Sequence, residues 1–309
     1  VFYLPADTPS NARRFLDIVH PEIAIFIKYE FWINLLSELR RRKVRSYIVS
    51  AIFRRNSVFF RPYGAMWRQA LETFDTLFVQ NVESKRLLSE IGFDNVVVAG
   101  DTRFDRVAQI AAAAQRVETI ERFRGGGRLF VAGSTWGPDE EILLPLVNAN
   151  PDVKFVIAPH EMDEGRIAHL MRDAKGGAVR YTQCDAATRF DDVQVLVLDT
   201  MGMLSSVYGS ATWAYVGGGF GVGIHNTLEA ATFGLPIAFG PNYGKFKEAR
   251  DMVSLGCAVS VRTAGELAAW FAPLRDDEET LRRASRTAKD YTARNQGATG
   301  IILRSIFNS

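Results

Sequence analysis

Cysteine is scarce in this chain of 309 residues: only Cys184 and Cys257 occur, and no two cysteines have CxxC spacing. Disulfide frameworks and zinc knuckles need more cysteines, so neither is predicted, and a reducing cytosolic setting fits. Long apolar runs are also lacking, because no stretch approaches the roughly 20 residues that span a bilayer. The opening VFYLPADTPS shows neither the basic nor the apolar region of a signal peptide. These absences favour a globular protein without membrane-spanning helices.

An initiator methionine is absent too, and the sequence begins directly with a strand-like run, which predicts that the chain is a fragment. Its length nevertheless exceeds that of a usual single domain and predicts two domains. The composition, 47% hydrophobic and 23% charged, is typical of a globular protein with sizeable cores.

Acidic residues are missing from one segment, although the whole chain carries a net formal charge of only +2. Between Arg40 and Arg68 there is no Asp or Glu but there are nine Lys and Arg, at positions 40, 41, 42, 43, 45, 54, 55, 61 and 68. A basic patch on a nearly neutral protein indicates an anionic partner on one face. Nucleic acid is a poor candidate, since the patch is short and the overall charge is nearly neutral. The alternative is an ordinary solvated helix face.

Short apolar runs alternate with helical patterns along the chain. Ten runs predict strands, at residues 22–27, 46–52, 76–80, 95–100, 128–133, 154–159, 193–199, 213–218, 236–240 and 257–261. The segments between them predict helices at 32–42, 84–91, 106–123, 140–149 and 163–174. Continuous apolar runs indicate strands buried on both faces, and their alternation with helices predicts a doubly wound α/β fold with parallel sheets.

Glycines 125–127 follow a long helical pattern and precede a strand, which predicts a hinge between two Rossmann-like domains that face each other across a cleft. The predicted domains are residues 1–124 and 125–309, with the last helix, about 288–309, packing back on the first domain. The first domain has only about four strands, fewer than such a domain usually carries, which supports the interpretation that its beginning is missing.

A glycine-rich loop stands out in the stretch YVGGGFGVGIHNTLEAATFGLPIAFGP, residues 215–241. Its glycines lack the G-x-G-x-x-G spacing of a dinucleotide site, and a Walker A motif is also absent. Asn226 and Glu229 match an N-terminal capping box, and Gly234 matches the position after a helix C-terminus. The predicted helix, residues 227–233, would direct its positive N-terminus at a ligand such as phosphate. The alternative is a structural cap and a tight turn.

Three other predicted strands end in small or polar residues. These ends are Ser134-Thr135, Pro159-His160 and the run Asp199-Thr200-Met201-Gly202. Open α/β sheets bind ligands at the carboxyl ends of their strands. The convergence of four such ends favours a nucleotide site over a purely structural turn.

These motifs together resemble those of 3-deoxy-D-manno-octulosonic acid (Kdo) transferases. The run from DTMGMLSSVYG to GFGVGIHNTLEAATFGLPIAFGPNYGKFKEA is similar to that family's C-terminal domain. In the N-terminal part, FIKYEFWINLL resembles the family's ETELWPN segment and VAGDTRFD resembles its GSLKFD segment. The closing YTARNQGATGIILRSI resembles the family's NQGA helix. The similarity runs along nearly the whole chain in the correct order.

The resemblance implies an inverting, metal-independent glycosyltransferase of the GT-B type that needs no cofactor. Such enzymes move Kdo from CMP-Kdo to a lipid A precursor at the cytoplasmic face of the bacterial inner membrane, in lipopolysaccharide biosynthesis. Glu229 would accept hydrogen bonds from two ribose hydroxyls, while Asn226 and the helix N-terminus face the phosphate. By motif position, the CMP of the donor would be held by Pro159, His160, Met201, Gly202, Met203, Asn226, Thr227, Leu228 and Glu229.

The resemblance also assigns two residues of the first domain to transition-state stabilisation. Glu30 matches the second Glu of the ETELWPN segment, and Arg103 matches the Lys of GSLKFD. One carboxylate and one cation suit an oxocarbenium-like state with a departing phosphate. The family's general base, a Glu near its N-terminus that follows a membrane anchor, has no counterpart in this chain. Two further departures are Lys28, at the first Glu of the ETELWPN segment, and Met203, at the acidic position of the family's MGE.

The basic segment acquires a sharper interpretation from the resemblance, since the family's acceptor is a bisphosphorylated glycolipid. Arg54, Arg55 and Arg61 could hold acceptor phosphates or anionic lipid at the membrane surface. The interleaved aromatics would lie at the membrane interface, namely Phe53, Phe59, Phe60, Tyr63 and Trp67. Two alternatives to Kdo transfer stay open: a GT-B enzyme that uses a UDP-sugar, and a nucleotide-binding fragment without catalysis.

Overall fold

A computed structural model describes residues 3–307, and the chain divides into two compact units. The first unit contains the residues up to Asp105 together with those from Asn295 onward, and the second contains Arg106–Arg294. Each unit is built on its own parallel β-sheet, so the predicted α/β fold is confirmed. That the first domain lacks its beginning stays a prediction.

The sheet of the first unit has four strands in chain order: β1 (Ile23–Ile27), β2 (Arg45–Ala51), β3 (Thr76–Val79) and β4 (Val96–Val98). Helices alternate with them: α1 (Pro9–Val19), α2 (Ile33–Arg42), α3 (Ala65–Leu71), α4 (Val82–Ser89) and α5 (Thr102–Ala113). Side-chain hydrogen bonds fix the starts of the first two helices. Thr8 Oγ1 accepts from the Asn11 N–H at 3.2 Å, and the Asp7 carboxylate accepts from the Asn34 and Leu35 N–H groups at 3.0 Å each.

β1 lies at one edge of this sheet, and within residues 3–307 it pairs only with β2. Phe26 is 8% exposed, whereas the alternate residues Ile25 and Ile27 are 46% and 58% exposed. These isoleucines line a cavity of about 680 Å³ that is also lined by residues of α1 and α2 and by Lys28, Tyr29 and Glu30, which follow β1. The edge strand therefore presents apolar side chains to solvent.

The sheet of the second unit has seven strands: β5 (Leu129–Thr135), β6 (Lys154–Pro159), β7 (Ala178–Arg180), β8 (Val195–Val197), β9 (Trp213–Val216), β10 (Ile237–Phe239) and β11 (Ala258–Ser260). Its helices are α6 (Glu118–Arg124), α7 (Gly137–Ala149), α8 (Glu164–Asp173), α9 (Leu204–Tyr208), α10 (Thr227–Thr232), α11 (Lys247–Ser254), α12 (Ala264–Asp276) and α13 (Glu278–Arg294). Alternate residues of β5 enter two different cores: Leu129 and Val131 pack in one, Phe130 and Ala132 in the other. The sheet is thus buried on both faces, as its continuous apolar runs predict.

The strand order in the second unit is β11-β10-β9-β5-β6-β8-β7, and every pair is parallel. After β5 the chain builds outward on one side, beginning with β6, and it then returns to place β9 on the other side of β5. The carboxyl ends of β5 and β9 therefore flank the point at which the strand order reverses. Open α/β sheets bind their ligands at this topological switch point.

Glycines 125–127, predicted as the hinge, lie within the second unit, because the units divide between Asp105 and Arg106, inside α5. Gly125, with φ +61°, follows the last turn of α6 in the left-handed conformation that commonly ends helices. Ile120 and Phe123 of α6 are buried in one core of the second unit. These glycines thus end a helix, and the predicted limits of the two domains are corrected accordingly.

The last helix, α14 (Ala298–Phe307), belongs to the first unit. Its Ile302 and Ile306 pack in a small core with side chains of β2 and β3. Just before it, the Gly297 N–H donates to the Asp105 carboxylate at 2.6 Å. Residues 288–294, predicted to return to the first domain as well, stay in the second unit.

All ten predicted strands are present, and their ends agree within about two residues. β7 is not predicted, because it has three half-buried residues and no apolar run. The single helix predicted over 106–123 is two helices, α5 and α6, separated at 114–117. Among the described residues, no helix has both the length and the apolarity needed to cross a membrane.

Candidate functional site

The residues predicted to hold a nucleotide lie at the end of β6 or follow β6, β8 and β9 of the second unit. β5 lies between β6 and β9 in the sheet and is followed by Trp136. Because the strands are all parallel, the four loops after them emerge at the same edge. The structure thus brings together the four strand ends that the sequence singles out.

Close backbone packing, rather than an open space, explains the first glycines of the loop after β9. A Cβ atom at Gly217 would lie 2.2 Å from the carbonyl oxygen of Ser134, and one at Gly219 would lie 2.6 Å from Gly240. Gly218 has φ +90°, which side chains rarely adopt, and a Cβ there would lie 2.9 Å from the His225 ring. The loop is therefore folded back against the end of β5 and against Gly240, which follows β10.

Asp139, in the first turn of α7, is the buried carboxylate that holds this loop. It is 0% exposed and accepts hydrogen bonds from the Tyr215 hydroxyl at 2.7 Å and from the N–H groups of Gly218 and Trp136 at 2.9 Å each. Burial raises the pKa of Asp139, although the three hydrogen bonds act in the opposite direction. One side chain thus ties together β9, the glycine loop and the start of α7.

Three rings cluster at the switch point. Trp136 Nε1 donates to His225 Nε2 at 3.2 Å. The His160 ring stacks on both partners, with centroids 4.8 Å from Trp136 and 4.3 Å from His225. Because Trp136 and His225 are joined at their edges, they lie side by side on one face of His160. Burial, and then the neighbouring His160, lower the pKa of His225, which favours its neutral imidazole.

Glu229 lies where two loops meet. Ser205 Oγ, in α9, donates to Glu229 Oε2 at 2.8 Å, and Asn226 Nδ2 donates to Oε1 at 3.0 Å. Asn226 Oδ1 also accepts from the Leu228 N–H at 3.2 Å and so caps α10. The predicted capping box is present in altered form, because Glu229 bonds the side chain of Asn226. α10 has only six residues, which makes its dipole a weaker phosphate-binding feature than the sequence suggests.

The loop after β8 is fixed at Asp199. This carboxylate accepts from the Thr182 N–H at 2.9 Å, from Thr182 Oγ1 at 2.5 Å and from Arg180 Nε at 2.8 Å. Burial alone would raise the pKa of Asp199, but these hydrogen bonds outweigh it and hold the pKa below its usual range. The chain then turns at Gly202, whose φ of +84° suits glycine.

Not every predicted residue can offer its side chain to a nucleotide. Thr227 and Leu228 are 1% and 0% exposed, so neither offers its side chain to a ligand, and the Leu228 N–H already donates to Asn226 Oδ1. Pro159, the last residue of β6, is also buried, and Met203 packs against the core. Met201, in contrast, is 78% exposed at the same edge of the sheet.

The two residues predicted to act on the transition state lie in the first unit, after its two outer strands. Glu30 follows β1, is exposed, and accepts at Oε2 from Trp32 Nε1 at 2.6 Å. Arg103, in the first turn of α5, donates through Nε to Asp101 Oδ2 at 2.8 Å. Lys28, which departs from the family's Glu, has φ +61°, and its Nζ lies 4.0 Å from the same carboxylate oxygen. Cations that follow β1 and β4 thus meet at buried Asp101.

Several cations of the basic segment are paired with acids outside it, which corrects the interpretation of an open basic patch. Ion pairs join Arg40 to Glu72, Arg41 and Arg42 to Glu38, Arg42 to Asp17, and Arg55 to Glu90. Phe53 and Phe59, predicted at a membrane interface, are 3% and 6% exposed in the core of the first unit. Arg54 and Arg61 are exposed, and within residues 3–307 neither forms an ion pair. They are the members of the predicted acceptor set without an ion-pair partner among these residues, whereas Arg55 is exposed but paired with Glu90.

Four residues of the site are absent from the sequence-based assignment: Trp136, Asp139, Ser205 and His225. Trp136 and His225 directly adjoin stretches that the sequence assigns to the site, so their positions could have been used to predict them. Nothing in the sequence marks Asp139 or Ser205 as site residues, because polar residues are common in the first turn of a helix.

Known proteins align with nearly the whole length of this chain. Residues 1–106 match the family model described as 3-Deoxy-D-manno-octulosonic-acid transferase (kdotransferase). The 3-deoxy-D-manno-octulosonic acid transferase of Bordetella pertussis is 27% identical over 98% of this chain and 73% of its own length. The protein of the same description from Haemophilus influenzae is 24% identical over the same shares of the two chains. The relative from Rickettsia felis is matched over only 58% of its length.

Among solved structures, UDP-GlcNAc 2-epimerase from Neisseria meningitidis bound to UDP-GlcNAc aligns with a TM-score of 0.67. It covers 97% of this chain and 80% of its own, at 16% sequence identity, so the likeness concerns the fold alone. The shared fold is the GT-B type that the sequence predicts. With residues 1–106 matching the family's model and 98% of the chain aligning with curated relatives at 27% and 24% identity, this chain is similar along nearly its full length to the 3-deoxy-D-manno-octulosonic-acid transferases.

Proposed function

We propose that the second unit binds the CMP portion of CMP-Kdo and that the protein transfers Kdo to a lipid A precursor, with inversion and without a metal ion. In this reaction an acceptor hydroxyl attacks the anomeric carbon of Kdo and loses its proton. The bond from that carbon to the phosphate oxygen breaks, and CMP leaves. The cytoplasmic face of the bacterial inner membrane, where the lipid acceptor would be met, is part of the same proposal.

The hydrogen-bonded group Ser205–Glu229–Asn226 carries this proposal. Ser205 lies two residues after Met203, so these bonds link the segment that follows β8 to Asn226 and Glu229, which follow β9. Each carboxylate oxygen of Glu229 accepts one bond here and has a second lone pair for a ribose hydroxyl. Asn226 is exposed beside it and available to the phosphate. This arrangement lies next to the switch point, where nucleotides bind in open α/β sheets.

The first unit would serve the sugar and the acceptor. Arg103 would stabilise negative charge on the departing phosphate, and Glu30 would stabilise positive charge on the oxocarbenium-like sugar. Arg54 and Arg61 would hold the phosphates of the acceptor or of the membrane surface, with Arg55 contributing less because it is paired with Glu90 at 3.0 Å.

Calorimetric titration with CMP tests the donor assignment, with UDP as the competing ligand. Glu229→Ala removes both ribose acceptors, and Asn226→Ala removes the cap and one support of Glu229. We expect CMP binding by the unaltered chain, loss of at least roughly tenfold in affinity in each variant, and weaker binding of UDP. Glu141→Ala is the matched control, since Glu141 is an exposed carboxylate elsewhere in the second unit.

Tighter binding of UDP than of CMP would replace the donor with a UDP-sugar, the ligand class of the solved epimerase. Binding of CMP that neither variant weakens would move the nucleotide away from Glu229. CMP binding without Kdo transfer by the chain, or by a version extended at its N-terminus, would favour a nucleotide-binding protein without catalysis.

A further inference from the structure

The hydrogen bond between Trp136 and His225 has a direction that chemistry dictates. The indole Nε1 carries a hydrogen and can only donate, so His225 Nε2, 3.2 Å away, must accept and carries no hydrogen. A neutral imidazole has one N–H group, which therefore lies on Nδ1. The tautomer of His225 is thus set by its neighbour.

The surroundings of His225 leave the Nδ1 side of the ring available. Its Cδ2 and Nε2 atoms face Gly218, where a Cβ would lie only 2.9 Å and 3.2 Å from them. Nδ1 makes no hydrogen bond within residues 3–307, and it is not among the buried side-chain atoms that lack a partner there. The Nδ1–H group is therefore a donor open to a ligand, one residue before the exposed Asn226.

The ring pair is held from several sides, so its orientation is built into the fold. Asp139 accepts the backbone N–H of Trp136 at 2.9 Å, and His160 stacks on both Trp136 and His225. The Arg166 guanidinium lies 6.0 Å from the centroid of a Trp136 ring. A donor that is fixed in advance loses little entropy when it binds an anion.

We propose that His225 donates its Nδ1–H to the phosphate of the bound nucleotide and that Trp136 is the positioning residue that keeps the imidazole in this tautomer. The ligand class is a nucleoside monophosphate or its sugar ester. The identification of that nucleotide as CMP rests on the proposed function, whereas the tautomer and the open donor do not. A neutral N–H donor would hold the phosphate through one directional hydrogen bond rather than through a positive charge.

Nitrogen-15 NMR of histidine-labelled protein reads the tautomer directly. We expect His225 of the unaltered protein to carry hydrogen on Nδ1 and not on Nε2. Trp136→Phe keeps an aromatic ring and the backbone N–H but removes the indole donor, so the Nε2–H tautomer should become populated. Trp270→Phe, a tryptophan packed on another core of the second unit, should leave His225 unchanged. Hydrogen on Nε2 in the unaltered protein would refute the proposal.

Calorimetry with CMP and with cytidine isolates the contribution of the phosphate. His225→Leu should reduce the preference for CMP over cytidine roughly tenfold, since one hydrogen bond to a charged group is lost. His225→Asn, whose amide N–H reaches the position of Nδ1, should restore part of that preference, and Trp136→Phe should reduce it by a smaller factor. His169→Leu, on the exposed surface of α8, is the control. An unchanged preference in His225→Leu would overturn the proposal.

The assignment of CMP and the role of His225 as an anion donor can be refuted separately. If neither CMP nor cytidine binds the unaltered protein, the donor assignment fails, and inorganic phosphate then replaces CMP as the probe. A shift of the His225 Nδ1 resonance on titration with phosphate, absent with an equal concentration of chloride, would sustain the anion-donor role. No shift of this resonance with either anion would refute the anion-donor role of His225.

Discussion

Asp139 is the buried carboxylate on which three segments of the second unit depend, and its replacement by alanine tests that dependence. Asp139→Ala leaves the Tyr215 hydroxyl and the N–H groups of Gly218 and Trp136 without their acceptor. An unsatisfied buried donor costs about 1–3 kcal/mol, so the two buried donors, the Tyr215 hydroxyl and the Gly218 N–H, predict a loss of about 2–6 kcal/mol, to which the part-buried Trp136 N–H adds less. Since domains are stable by only about 5–15 kcal/mol, this change is severe.

Asp139→Asn is the matched control, because an amide can preserve the pattern. One carboxylate oxygen accepts both backbone N–H groups, and the amide oxygen can take its place. The amide NH₂ would then face Tyr215, whose hydroxyl can accept as well as donate. We expect the asparagine variant to lose less than about 1 kcal/mol.

The titration of Asp139 adds a pH signature. Burial raises its pKa, so between the ordinary and the raised value the folded protein binds more protons than the unfolded chain does. The stability that this group contributes is therefore greatest below that window and declines as pH rises through it. Asp139→Asn does not titrate, so its stability relative to the unaltered protein should improve with rising pH.

Hydrogen exchange followed by mass spectrometry in increasing urea measures these effects within the second unit, through peptides from β5 and β9. It avoids assuming that the two units unfold together. A loss below about 1 kcal/mol in Asp139→Ala would refute the reasoning, as would equal losses in the alanine and asparagine variants.

Three further predictions follow from single residues. Thr227→Val should raise the melting temperature, because the Thr227 hydroxyl is buried and has no hydrogen-bond partner among the described residues; unchanged or lower stability in a thermal scan would contradict this. Ser205→Ala should weaken CMP binding roughly tenfold in calorimetry with an unaltered circular dichroism spectrum, since it removes one support of Glu229. A hydrogen bond from Arg41 lowers the pKa of Glu38 from 4.5 to about 2, so the stability that this group contributes is lost as pH falls through that window. Glu38→Gln should flatten that acid-side loss in urea unfolding, and an unchanged slope would show that other groups cause it.

Strands were the most predictable part of the fold, because their apolar runs report burial on both faces. β5 illustrates this, with alternate residues in two separate cores. The division into units was less predictable, since glycines such as Gly125 end helices as readily as they form hinges. A continuous helix, α5, crosses the actual boundary, and nothing in its composition marks residue 105.

The basic segment shows why charge along the sequence misleads. It contains no acid between Arg40 and Arg68, yet Glu38, Glu72 and Glu90 from the neighbouring sequence pair with its cations. Local composition cannot reveal partners that reach a segment through folding. The cations without an ion-pair partner among the described residues are therefore a smaller set than the sequence predicts.

The candidate site was predictable at its strand ends and unpredictable in its connections. Asn226 and Glu229 were assigned from motif and spacing, and both lie at the switch point. The bond from Trp136 to His225 joins residues 89 positions apart, and that from Ser205 to Glu229 joins residues 24 apart. Such contacts depend on strand order, which the sequence did not specify. Hence the residues that orient the site were found only in the structure.

The exposed isoleucines of β1 have a consequence for the behaviour of this chain at high concentration. β1 pairs on one side only within the described residues, so its other row of N–H and C=O groups can accept a strand from another molecule. Its sequence, IAIFI, is uncharged, free of proline and rich in β-branched residues, which is the signature of aggregation-prone segments. Self-association through this edge would compete with any binding measurement. A charged residue at Ile27 would act as a gatekeeper against it.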